Sequence, residues 1–80
     1  MNNPPIIWVD SPPNLTCSGY GFQAVQILPD YADLDMEEQV TDTVANLLHY
    51  AAANGAKLDE IHTLLERGWD HFRIEALGNE

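Results

Sequence analysis

Apolar residues recur along the second half of the chain with the period of an amphipathic helix. Val40, Val44, Leu47, Leu48 and Ala51 follow one another at i, i+4, i+7, i+8 and i+11. That spacing predicts one helix over 35–54 with a single apolar stripe. Asp35 is a good N-cap, and Glu38 three residues later completes a capping-box pair. Gly55, after Asn54, is the stop signal. A second stripe, Ile61, Leu64, Leu65, Trp69 and Phe72, predicts a helix over 59–76, with Leu58 just ahead of its start. The short link between the two helices implies an antiparallel hairpin. Gly68 falls on the apolar face and reads as a close-packing site, since a mid-helix glycine otherwise costs up to about 1 kcal/mol. Ile74 falls off the stripe, so the helix is expected to bend or end near it.

The first 29 residues follow a different pattern. Four of the five prolines lie in residues 1–14, as two Pro-Pro pairs bracketing Ile6-Ile7-Trp8-Val9. Proline cannot donate to a ladder, so this arrangement suits a short edge strand. Leu15-Thr16-Cys17 and Phe22–Leu28 flank Ser18-Gly19-Tyr20-Gly21, which reads as a hairpin around a two-glycine turn, ended by Pro29-Asp30. The expected fold is therefore α+β: a small N-terminal antiparallel β-sheet of two or three strands, packed against a C-terminal antiparallel helical hairpin. Residues 1–80 form one domain, divided into a proline-rich β part (1–29) and helices over 35–54 and 59–76.

Charge sharpens this picture. Thirteen Asp and Glu face three Lys and Arg, a net charge of −10. Direct binding of nucleic acid or of an anionic membrane is excluded as the main role, because both require basic residues against phosphate. A basic partner is favoured. The acids are also clustered. Residues 1–29 hold only Asp10, whereas residues 30–42 hold Asp30, Asp33, Asp35, Glu37, Glu38 and Asp42 with no basic residue among them. Asp35, Glu38 and Asp42 fall opposite the Val40/Val44/Leu47 stripe, and Glu66 and Asp70 fall on the solvent side of the second helix. Like charges four residues apart destabilise a helix by a few tenths of a kcal/mol. A repeated cost of this kind suggests a use, although acidic surface also serves solubility. A charge of −10 is similar to that on one face of a DNA segment of the protein's own length.

Other chemistry finds less support. His62, Glu66 and Asp70 share one helical face and could approach a divalent ion, but no HExxH pattern accompanies them. His49 lies on the solvent side of the first helix, and His71 flanks the second. A single cysteine, Cys17, excludes an internal disulfide and reads as a small core residue in a strand; with it goes a reducing compartment. Trp8, Tyr20, Phe22 and Tyr31 lack the basic neighbours of a nucleic-acid stacking platform. The N-terminus has no basic residue and no long apolar run, so no targeting segment and no membrane span is expected, and no cofactor or metal.

The stretch Asn46–Gly55, followed by Leu58-Asp59 and Leu64-Leu65-Glu66-Arg67-Gly68-Trp69-Asp70-His71-Phe72, resembles small helical-hairpin proteins of phages and mobile elements over roughly residues 35–75. Together with size and acidity, it resembles the phage anti-CRISPR proteins that act as DNA mimics, among them those aimed at type I Cascade complexes. The resemblance implies a non-catalytic protein in the bacterial cytoplasm that occupies a DNA-binding cleft. On that reading Asp30, Asp33, Asp35, Glu37, Glu38 and Asp42, supported by Glu66 and Asp70, stand in for phosphates and accept hydrogen bonds from Arg or Lys of a basic nucleic-acid-binding complex. The alternative is an adaptor or antitoxin-like module that binds through apolar surface or through the Trp8 strand at a sheet edge. A small metal-dependent enzyme comes third.

Overall fold

The computed structural model describes Trp8 and residues 10–77, without the side chain of Leu77. Three helices make up the fold: α1 (Pro12–Gln26), α2 (Met36–Ala53) and α3 (Leu58–Leu77), with a single 3-10 turn at Tyr31–Asp33 between α1 and α2. No strand occurs among the described residues. The architecture is all-α, which overturns the expected α+β fold.

The correction originates at Ser11-Pro12-Pro13. The Ser11 Oγ accepts a hydrogen bond from the Asn14 backbone N–H at 3.4 Å, and the two prolines occupy the first helical positions. Proline is favoured there, because the N–H it lacks would have no intrahelical partner and its φ is already helical. A pair that resembles a strand boundary is therefore a helix start. Thr16 then donates its hydroxyl to the Pro12 carbonyl at 3.1 Å, one turn back. Leu15-Thr16-Cys17 and Phe22–Gln26 lie within α1, and Ser18-Gly19-Tyr20-Gly21 is its middle rather than a hairpin turn. Gly19 and Gly21 do not have positive φ. Of the proposed edge strand 6–9, only Trp8 lies within the described residues, and it is in no regular element.

α1 ends at Gln26. A tight turn follows, with Leu28 N–H donating to the Val25 carbonyl at 3.1 Å and Tyr31 N–H to the Leu28 carbonyl at 3.2 Å. α2 starts at a capping box: Glu38 N–H donates to Asp35 Oδ1 at 2.8 Å, and Asp35 N–H to Glu38 Oε1 at 3.2 Å. Gln39 fastens the preceding turn to α2, its Nε2 donating to the carbonyls of Tyr31 at 2.9 Å and Leu34 at 3.2 Å. α2 closes at Asn54, and Gly55 takes a φ of 97°, left-handed backbone that glycine adopts without steric penalty. α3 starts one residue before Asp59. Its first turn is capped by Glu60, whose Oε1 accepts from Lys57 N–H at 2.7 Å, while Lys57 O accepts from Ile61 N–H at 2.9 Å. The helix continues past Ile74 to Leu77.

Packing is sparse. Among the described residues the buried apolar side chains are Val25, Leu28 and Ala76, and the buried polar one is Asn14. The apolar stripe of α3 is largely open. Ile61 is half-buried, while Leu64, Leu65, Trp69 and Phe72 are exposed. Trp69 and Phe72 stack on each other with ring centroids 5.9 Å apart, yet Trp69 keeps 56% of its area accessible. Nothing lies within 4 Å of where a Cβ on Gly68 would sit, so the close packing expected there is absent. Cys17 is exposed rather than a core residue. These departures have one cause. The sheet that would have covered the hairpin is a third helix, and α1 covers only part of the apolar surface of α2 and α3.

Candidate protein-interaction surfaces

The acidic residues of 30–42 occupy a continuous stretch running from the end of the 27–30 turn into α2. Asp30 sits at the turn with a φ of 58°, a left-handed conformation that Asp tolerates better than most residues. Asp33 ends the 3-10 turn, Asp35 caps α2, Glu37 and Glu38 lie in its first turn, and Asp42 follows one turn later. All six are exposed. No ion pair among the described residues involves any of them. Asp35 and Glu38 are held in place by the capping box, whereas the carboxylates of Asp30, Asp33, Glu37 and Asp42 accept no hydrogen bond among the described residues. The positive end of the α2 dipole favours the carboxylates of its first turn.

Glu66 and Asp70 are separate from this stretch. Both are exposed on α3; Asp70 has a local counter-ion, and Glu66 has a neighbouring imidazole that pairs with it as an ion only when protonated. Glu66 Oε2 lies 3.8 Å from His62 Nδ1, and Asp70 Oδ1 accepts from Arg73 Nη2 at 3.1 Å. Exposed pairs of this kind contribute at most about 1 kcal/mol. No such side-chain ion pair involves the six on residues 30–42 among the described residues. His62, Glu66 and Asp70 do not converge as an ion-binding set, and no cluster of three such ligands occurs among the described residues. His49 and His71 are exposed.

A second surface, not anticipated from the pattern of residues, is an open apolar groove of about 1030 Å³ between α2 and α3. Val44, Leu47 and Leu48 line one side, and Leu64, Leu65 and Trp69 the other. Leu47 is 61% exposed and Tyr50, at its edge, 71%. The groove is open to solvent, so the apolar side chains along it are left uncovered by the chain's own helices. By helical geometry, Glu38, Asp42 and Glu66 point away from it, and Asp70 lies on its flank. The charged residues along the groove are Glu60 and Arg67 of α3. The available signal was arithmetic: two full apolar stripes on α2 and α3, with a single short segment ahead of them to cover both.

No helix among the described residues is long and apolar enough to cross a membrane. Neither a protein-family model, nor a curated protein, nor a solved structure matches the chain.

Proposed function

We propose that this chain is a non-catalytic inhibitor that acts in the cytoplasm of a bacterial host cell, where its acidic face mimics DNA and blocks a basic nucleic-acid-binding cleft of a defence complex, in the manner of anti-CRISPR proteins. One observation carries the reading: six exposed carboxylates on residues 30–42 have no cation within that stretch and no ion pair among the described residues. The molecule measures 34 × 32 × 29 Å. Duplex DNA of about 34 Å carries on the order of 20 phosphates, about half of them facing one side. A net charge of −10 on a body of that size offers a basic cleft a comparable number of negative groups.

Asp30, Asp33, Glu37 and Asp42 are the residues that engage Arg or Lys of the target, since no hydrogen bond or ion pair among the described residues occupies their carboxylates. Asp35 and Glu38 add charge while fixing the start of α2. Glu66 and Asp70 have an auxiliary role, because displacing His62 and Arg73 precedes any external contact. Long-range attraction speeds encounter and fades as salt rises. The test is competition. A type I Cascade complex captured by this protein at low salt is expected to be released by added duplex DNA; capture that duplex DNA leaves untouched rejects mimicry.

The apolar groove favours a second reading, an adaptor or antitoxin-like module that seats a partner's apolar helix. A sheet edge, the other route to such a module, has no counterpart among the described residues. Partner capture that survives high salt but fails after Leu47→Asp supports this reading over mimicry.

A further inference from the structure

We infer that the α2–α3 groove is the interface of a homodimer, with a second copy of this chain as its occupant. The inference goes beyond the proposed function and does not depend on it, because it uses none of the acidic residues of 30–42.

The first argument is area. The chain exposes 6694 Å². A compact monomer of 8.9 kDa exposes about 4,800 Å². The difference is about 1,900 Å² per chain. Removing the eleven residues outside the described set from both sides, at their full unfolded-chain area from the exposed surface and with their mass from the compact reference, still leaves an excess of about 600 Å² per chain. Two chains that bury these excesses against each other remove between about 1,200 and 3,800 Å² in total, a span from the lower end of stable interfaces into the range of obligate homodimers. The second argument is the core. Among the described residues the buried apolar side chains are Val25, Leu28 and Ala76, and burial this sparse offsets little of the conformational entropy of folding, so cover for the apolar faces of α2 and α3 would stabilise them. Two hairpins closing face to face would supply it as a four-helix core.

The third argument selects the second copy as the occupant. Glu60 and Arg67 both line the groove, seven residues and about two turns apart on α3. Arg67 has no hydrogen bond or ion pair among the described residues, although Arg73 has one. A two-fold axis passing between Thr63 and Leu64 sets α3 antiparallel to its symmetry mate. It brings Glu60 of each chain level with Arg67 of the other, giving two identical ion pairs flanking Leu64. A closed two-fold interface needs self-complementarity of this kind. Gly68, with open space on its Cβ side, allows close approach of the facing helix. The repulsion between two chains of charge −10 is moderated because Glu38, Asp42 and Glu66 point away from the groove and salt screens charges beyond about 8 Å.

Sedimentation equilibrium of the full chain at about 50 µM and near-physiological salt tests this directly. The expected mass is twice the 8.9 kDa of one chain. Leu64→Glu and Glu60→Arg are each expected to weaken dimerisation at least about tenfold, and the charge swap Glu60→Arg with Arg67→Glu to recover most of that loss. Circular dichroism on each variant monitors helix content, and the wild-type mass decides by itself if a variant unfolds. A monomer at this concentration overturns the inference, including one that takes up an added basic amphipathic helix. So does a dimer indifferent to both Leu64→Glu and Glu60→Arg.

Discussion

The side-chain amide of Asn14 donates to the carbonyl of Ala76 at 3.3 Å, joining α1 to the last turn of α3 across 62 positions of sequence. Asn14 is 6% exposed and Ala76 2%, so the bond is made away from water. It matters because so little else in the described chain is buried. Asn14→Ala leaves a buried carbonyl without this donor, at a cost of about 1–2 kcal/mol. The expected result is a fall in Tm of about 5–15 °C, with weaker protection of α1 amides in hydrogen exchange. An unchanged Tm removes this contact from the account of the fold.

The helical assignment of α1 makes a prediction opposite in sign to that of a hairpin turn. Gly19 and Gly21 lie in mid-helix with nothing within 4 Å of an added Cβ. Gly19→Ala and Gly21→Ala should therefore each stabilise the chain, by about 0.5–1 kcal/mol. Gly55→Ala should destabilise by about 1 kcal/mol or more, because the φ of 97° penalises a Cβ. Thermal melts of the three variants settle the matter, and destabilisation by alanine at position 19 or 21 contradicts a helix there.

The capping box gives a third expectation. Asp35→Ala removes the acceptor for Glu38 N–H and should lower stability by about 1 kcal/mol, while Asp35→Asn, which preserves cap geometry, should cost much less. Chemical denaturation of the two variants measures the difference. Equal losses would mean that the charge matters rather than the cap.

How far the sequence disclosed this structure depends on the kind of signal. α2 was legible because three independent cues agree on it: the Asp35/Glu38 box, a stripe from Val40 to Ala51, and Gly55 in a left-handed stop. α1 was not, because Pro12-Pro13 supports either a strand edge or a first helical turn, and only the Ser11 cap distinguishes them. Two glycines and no strong apolar period in Leu15–Gln26 then favoured a turn. The acidic stretch was legible as charge, since no cation lies between Asp30 and Asp42. That Glu66 and Asp70 have His62 and Arg73 as partners follows from side-chain reach at i,i+4 and i,i+3, which spacing allows but does not require. The groove stayed hidden because periodicity marks which face is apolar, not whether anything covers it.

Charge neutralisation probes the proposed function without disturbing the fold. Asp30, Asp33, Glu37 and Asp42 take no part in the cap and form no ion pair among the described residues, so replacing them with Asn or Gln should leave helix content unchanged. Asn also tolerates the left-handed backbone at position 30. The decisive measurement is the affinity of a type I Cascade complex for its duplex target, with wild type or this fourfold variant added. Mimicry predicts that wild type blocks DNA binding, more weakly as salt rises, and that the variant loses at least about tenfold in potency. A folded variant that blocks DNA as well as wild type contradicts the claim that these carboxylates take the place of phosphates.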